Sequence, residues 1–286
     1  MAPDLIGLSE KNYSILSKIA DVLNIKYQKG ESKIEQIAEL DNKNWIRVPQ
    51  EFSKMNYDFA VSLGRIAYNS AVGEVGKKLG LTLRNTSKDA LGRGFVGDIN
   101  WEKALKLNLM LGNKTTNPLE HFTFLDLINQ GAEGKINVYN VKGTKLGQNY
   151  LSKIRDDIIK VQSPWRAEWH DADFRFKDNK LYIHFNHDLK NGELIPQNKQ
   201  LLVRNTLLED KDPGINLNDN LGDTTKQGLP KTSVKEGDFH YLAPDKDNNS
   251  VARSSAYFGG ALFSCNWDRS YSDSFLGVRG AKILKD

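Results

Sequence analysis

The sequence predicts an α+β protein in which a substantial helical portion leads into a strand-rich one. Three observations carry this. Apolar residues recur at helical spacing through much of the first half, a hairpin signature follows Pro164, and two strand-like runs close the chain. With 286 residues, 39% of them hydrophobic, the chain can bury a full core as one large domain or two small ones. The expected organisation is a mainly helical portion over residues 1–160 packed on a second portion over 161–286, which can be continuous with it.

Residues 9–25 place Tyr13, Leu16, Ile19, Ala20 and Leu23 on one helical face, with Ser9 positioned as the cap. A shorter pattern, Ile34, Ile37, Ala38 and Leu40, runs toward Pro49, which pushes the residue before it into extended geometry. Over 57–79, Phe59, Leu63, Ile66, Ala67, Val72 and Val75 recur at helical intervals, and Gly64, Gly73 and Gly76 mark close packing or a break. Further helices are predicted over 101–111, over 118–128 with Pro118 in the first turn, and over 150–159. Residues 136–141 alternate and predict a strand.

Beyond Pro164, residues 172–176 and 181–185 flank Lys177-Asp178-Asn179-Lys180, a hairpin signal. Residues 200–204 and 239–242 predict short strands, separated by a polar run over 205–237 that is long for a compact domain. Two strands, over 257–267 and 275–283, end the chain around a polar turn at Ser270 to Asp273.

Lys and Arg total 40 against 36 Asp and Glu, interspersed, for a net charge of +4. No basic stripe exists to neutralise a phosphate backbone, so nucleic acid is not an expected partner. The single cysteine, Cys265, excludes an intrachain disulfide and a Cys-rich metal knuckle. No run approaches the roughly 20 apolar residues that cross a bilayer. The start, Met1-Ala2-Pro3-Asp4-Leu5, lacks the basic and apolar regions of a secretory signal, which leaves a cytoplasmic location or export to the cell surface by another route.

Several motifs carry little. Gly92-Arg93-Gly94-Phe95-Val96-Gly97 fits a dinucleotide fingerprint in letters, but Asp98-Ile99-Asn100 follows where an apolar helix start is needed, so a glycine-rich turn is expected. His184, His187 and Asp188, or His170, Asp171 and Asp173, have poor spacing for convergence on a strand and read as surface or hairpin-edge groups; no metal site is assigned. Glu120 and His121 are adjacent on a helix and read as a solvated face. Gly-x-Ser-x-Gly is absent, and neither a catalytic residue nor a cofactor is assigned.

The segment 253–275 differs from the rest in kind. It contains no Lys, Glu, Gln or Met and is rich in Tyr, Ser, Asn, Asp, Phe and Gly, as in antibody loops, where aromatics give rigid contact area and small polar groups give adaptable hydrogen bonds. Two ordinary core strands with a polar turn would explain Leu262 and Val278, but not the run Ser270-Tyr271-Ser272-Asp273-Ser274.

Arg253-Ser254-Ser255, the polar-aromatic stretch and then Gly277-Val278-Arg279 resemble the end of C-type-lectin-fold proteins of the formylglycine-generating type. There an Arg-Gly-Gly-Ser-Trp-like start and a Gly-Phe-Arg-like finish bracket the last strands. More specifically the segment resembles the variable proteins of diversity-generating retroelements, the divergent archaeal group above all. In these, adenine-directed copying errors turn Asn codons into many others but never into Lys, Glu, Gln, Met or Trp. Trp267 would then be a fixed scaffold residue. Here Ser254 and Ser255 replace glycines of the pattern, and Val278 replaces Phe.

The resemblance implies a C-type-lectin-like fold and a function in recognition rather than catalysis. The formylglycine chemistry of that fold uses two cysteines, and only Cys265 is present. The expected contact residues are Tyr257, Phe258, Phe263, Ser264, Asn266, Asp268, Ser270, Tyr271, Ser272, Asp273 and Ser274, with Trp267, Gly277 and Arg279 as framework. The partner would be a protein or glycan ligand on a cell surface. The competing readings are a lectin-like module of fixed specificity, and a hydrolase or oxidase.

Overall fold

A computed structural model of the chain describes residues 44–284 except 54, 90, 216–223, 234–236, 238, 247–248 and 258. The helical patterns over 9–25 and 34–40 lie outside the described residues. In chain order the elements are β1 (Trp45–Val48), β2 (Phe59–Arg65), α1 (Ser70–Lys78), β3 (Asn85–Lys88), β4 (Gly94–Val96), α2 (Trp101–Met110), β5 (Lys114–Thr115), α3 (Pro118–Ala132) and α4 (Gln148–Ile159). There follow β6 (Arg166–Lys177), β7 (Lys180–Lys190), β8 (Glu193–Leu201), β9 (Lys211–Ile215), β10 (Phe239–Leu242), β11 (Ser250–Tyr257), β12 (Gly260–Asp268) and β13 (Leu276–Ile283).

The architecture is mixed α/β around one large sheet of order β1-β2-β13-β6-β11-β12-β10-β9. The last strand, β13, lies between the early strand β2, to which it is antiparallel, and β6, to which it is parallel. β11 pairs antiparallel with both β6 and β12. The far half of β6 continues with β7 and β8 as an antiparallel ribbon, turning through Asp178 and Asn179, both at positive φ as a two-residue hairpin requires.

Alternation along β6 divides two cores. Ala172 and Phe174 join the cluster beneath α3 and α4, whereas Ala167 and Trp169 join the cluster beneath α1 and α2. The central strands are therefore buried on both faces. This is why the helical reading of 57–79 holds only for its second half: the apolar run from Phe59 to Leu63 is a doubly covered strand, which carries no period of two. Among the described residues, five strands of this kind or shorter interrupt the first half, which from residue 44 on is less helical than the sequence predicts. Residues 136–141 form no strand but a tight loop with single bridges, Ile46 to Asn140 and Tyr139 to Lys145. The polar run over 205–237 includes β9, which pairs with β10.

Helix starts follow local chemistry. Asn69, Asn100 and Asn117 each accept a backbone N–H from three residues on. At α3, Glu120 completes a capping box by accepting the Asn117 N–H, and Pro118 occupies the first turn. Replacing Asn117 with Ala is expected to cost about 1–2 kcal/mol, read as a lower urea midpoint at unchanged slope.

Candidate functional site

The Gly92 to Gly97 segment is the β3–β4 hairpin, not a phosphate loop. Gly92 turns at φ +77°, and the Asp89 carboxylate accepts the Leu91 and Arg93 N–H groups. The hairpin packs against the C-terminal turn. Asp98 N–H donates to the Asp273 carbonyl at 2.8 Å, and Thr86 Oγ1 donates to the Ser274 carbonyl at 2.6 Å. A Cβ on Gly97 would stand 2.2 Å from that Ser274 oxygen, so only glycine admits the approach. A shallow cavity of about 320 Å³ lined by Thr82, Arg84, Thr86, Gly97 and Asp98 borders the turn.

Within residues 268–274 the backbone is held by the segment's own carboxylates. Asp268 Oδ1 accepts the Ser270 N–H and hydroxyl, both at 2.8 Å, and these bonds hold its carboxyl below the usual range. Asp273 accepts the Phe275 N–H at 2.9 Å and the Tyr271 hydroxyl at 3.2 Å. Asp268, Ser270, Tyr271 and Ser272 are exposed, Asn266, Asp273 and Ser274 are half-buried, and all seven belong to one end of the sheet. Arg269 reaches back to pair with Asp173 and lies over Trp101.

The frame beneath is aromatic and cationic. Trp267 meets Tyr271 edge-on at 5.4 Å, and Trp165 meets Phe275 at 6.0 Å. The Arg253 guanidinium lies 3.3 Å from the Trp267 ring centroid and 5.5 Å from that of Trp165. Gly277 and Arg279 are buried in β13, where Arg279 pairs with Glu168 at 2.6 Å.

Two expected contact residues are corrected. Phe263 and Ser264 are both fully buried, because both faces of β12 are covered at that point. Phe263 packs against His121, Phe122 and His170, and Ser264 donates to Asn266 at 2.8 Å. The alternation Ala261, Phe263, Cys265 was the core signal in the sequence. Tyr257 ends β11, and Phe258 lies outside the described residues.

The readings of Glu120, His121, His170 and His187 are corrected as well, whereas His184 is half-buried and Asp188 exposed on the hairpin strand β7. Glu120 and His121 are buried, with Glu120 accepting from Lys114 at 2.5 Å and Tyr57 at 2.9 Å. His170 and His187 are buried too. His170 contacts the Ser254 hydroxyl at 2.8 Å and Thr116 Oγ1 at 3.2 Å, and His187 contacts the Asp171 carboxylate at 2.5 Å. Both faces of β6 are covered, so a polar residue there needs an internal partner, which short spacing in sequence does not reveal. Among the described residues no three His, Cys, Asp or Glu side chains are grouped to hold a metal. Cys265 is buried, and burial pushes its thiol above the ordinary range.

No family model, curated protein or solved structure matches the chain. Its geometry must carry the functional argument alone. Sequence reasoning placed Arg253 and Phe275 at the two ends of the candidate segment without giving either a contact role, and missed Trp165. Arg253 had a signal as the first residue of the C-terminal motif, whereas Trp165 is remote in sequence and becomes a neighbour only through the pairing of β6 with β11. No described helix is long and apolar enough to cross a membrane.

Proposed function

We propose that this protein recognises a protein or glycan target through residues 266–274, as a lectin-like variable protein whose C-terminal segment is rewritten by a retroelement. One observation carries the reading: the turn exposes Asp268, Ser270, Tyr271 and Ser272 together, while its supports, Arg253, Trp267 and Arg279, lie in or against the sheet. Arg253 on β11 and Arg279 on β13, the two ends of the resemblance, bracket β12 and the turn. A surface of this kind can change side chains without changing the core. Asp268 and Asp273 are the exceptions, because their carboxylates shape the backbone as well as facing outward.

The physical requirement is testable through stability. Tyr271→Ala with Ser272→Ala is expected to move unfolding free energy by no more than about 0.5 kcal/mol, whereas Asp273→Ala should cost about 1–3 kcal/mol through the donors it leaves unpaired. Urea denaturation of the variants measures both. A loss above 2 kcal/mol from the Tyr271 and Ser272 pair would show that the turn is structural and remove the basis of the proposal. A lectin-like module of fixed specificity is the second reading, favoured by the exposed ring of Tyr271, which stands edge-on to Trp267 and suits sugar stacking.

A further inference from the structure

Among the described residues three arginines are almost wholly buried, and two of them follow the rule that a buried cation has a carboxylate partner. Arg65 pairs with Asp157 at 2.6 Å and Glu168 at 3.2 Å, and Arg279 pairs with Glu168 at 2.6 Å. Arg253, only 4% exposed, has no ion pair among the described residues, and its Nε and Nη1 have no hydrogen-bond partner. The Asp273 carboxylate is near enough for its charge to favour the guanidinium, yet it accepts Phe275 N–H and the Tyr271 hydroxyl and forms no ion pair with Arg253 among the described residues.

The unmet groups around Arg253 form a set. Among the described residues Trp267 Nε1 and Ser255 Oγ are also buried without partners; the Trp267 ring lies against the guanidinium, and Ser255 is two residues from Arg253 along β11, on the same face of the strand. Guanidinium and indole nitrogens only donate, and a hydroxyl can donate, so the set calls for an acceptor with several lone pairs. A carboxylate supplies about four and matches the planar fork of arginine. Trp165 and Trp267 flank the guanidinium and offer apolar faces to the body of such a ligand.

We propose that Arg253, with Trp267 Nε1 and Ser255 Oγ, is a subsite for a carboxylate of the target, which takes the place that Glu168 holds at Arg279. This deepens the recognition reading and rests on it for the location of the target. Tyr271, 37% exposed and edge-on to Trp267, is the wall that an incoming ligand displaces. An acidic side chain of a protein and an acidic sugar both present the required group.

Benzoate and its neutral analogue benzamide are the probes, titrated against the full chain by ligand-observed NMR at constant ionic strength. Benzoate should bind saturably and benzamide at least about tenfold more weakly, with Arg253→Gln losing about tenfold in benzoate affinity and Arg253→Lys losing less. Equal binding of the two probes, unchanged binding to Arg253→Gln, or no saturation by about 50 mM would overturn the proposal, since a charge-assisted pair must separate them. If Arg253→Gln fails to fold, the ratio of the two probes on the unaltered chain decides. Short peptides ending in Glu and free sialic acid, compared in the same assay, separate the two sources of the carboxylate. Benzoate binding by a chain whose gene segment proves invariant would keep the subsite and discard the diversified reading. The converse result would do the opposite.

Discussion

Replacing Glu168 by Gln will destabilise the protein by about 3–5 kcal/mol, the range for breaking a buried ion pair from one side. Its two oxygens receive Arg279 Nε at 3.1 Å and Nη2 at 2.6 Å, and Arg65 lies 3.2 Å away. All three side chains are buried, so neither guanidinium can turn to water when the charge is removed. Asp157 of α4 remains, 2.6 Å from Arg65 and 3.8 Å from Arg279, and cannot neutralise both. The network ties β2, β6, β13 and α4, so the frame of the candidate site loosens with it. Burial alone would raise the Glu168 carboxyl, but Arg279 and Arg65 outweigh burial and hold it well below the usual range. A carboxyl whose folded value is depressed contributes its full stability above its unfolded value, here 4.5, and loses it as pH falls below that value. Urea denaturation at pH 7 is the measurement, and a cost under 1 kcal/mol would mean that the two arginines find other partners.

The second large effect comes from His121 and lies at milder pH. Burial lowers its ring to about 4 from an ordinary 6.5, a drop that the Glu168 charge opposes and the Arg279 charge reinforces. The His170 ring, 4.0 Å away centroid to centroid, is lowered as well, by burial first and then by His121. The unfolded chain therefore binds protons that the native chain refuses, and stability falls as pH drops from 6.5 toward 4. His121 alone should contribute a loss of about 3 kcal/mol across that window. His121→Leu, which keeps an apolar side chain against Phe122 and Phe263, should remove the His121 share of the slope between pH 6.5 and 4, leaving the share of His170, and leave the Glu168 transition below 4.5 in place. An unchanged slope in this variant would show that other groups set the pH response.

What the sequence revealed, and what it hid, follows one physical division. Elements with local punctuation were legible even where, as in α3, most of the element is buried: α2, α3 and α4 by apolar spacing and caps, and the β6–β7 hairpin by Asp178-Asn179. Strands covered on both faces and without such punctuation were not. The run from Phe59 to Leu63 passed for helix because a strand covered on both faces carries no period of two, and Phe263 with Ser264 passed for display because the composition of their segment outweighed the alternation Ala261, Phe263, Cys265. At the candidate site the same division applies. Ser270, Tyr271 and Ser272 were legible as an exposed turn from composition alone. The Arg253 cluster was not, since Trp165, Arg253 and Trp267 come from three strands or their flanks and meet only once the sheet has formed.

The central claim, that residues 266–274 form a surface under diversification, is tested most directly by sequencing the 3′ end of the gene, with its flanking DNA, across the natural population. The account predicts substitutions at template adenines concentrated at the codons of Asn266, Ser270, Tyr271, Ser272 and Ser274, with the codons of Phe263, Trp267, Gly277 and Arg279 constant. It also predicts a near-copy of the segment and a reverse-transcriptase gene beside it. An invariant segment with no neighbouring template would contradict the claim and leave a recognition module of fixed specificity.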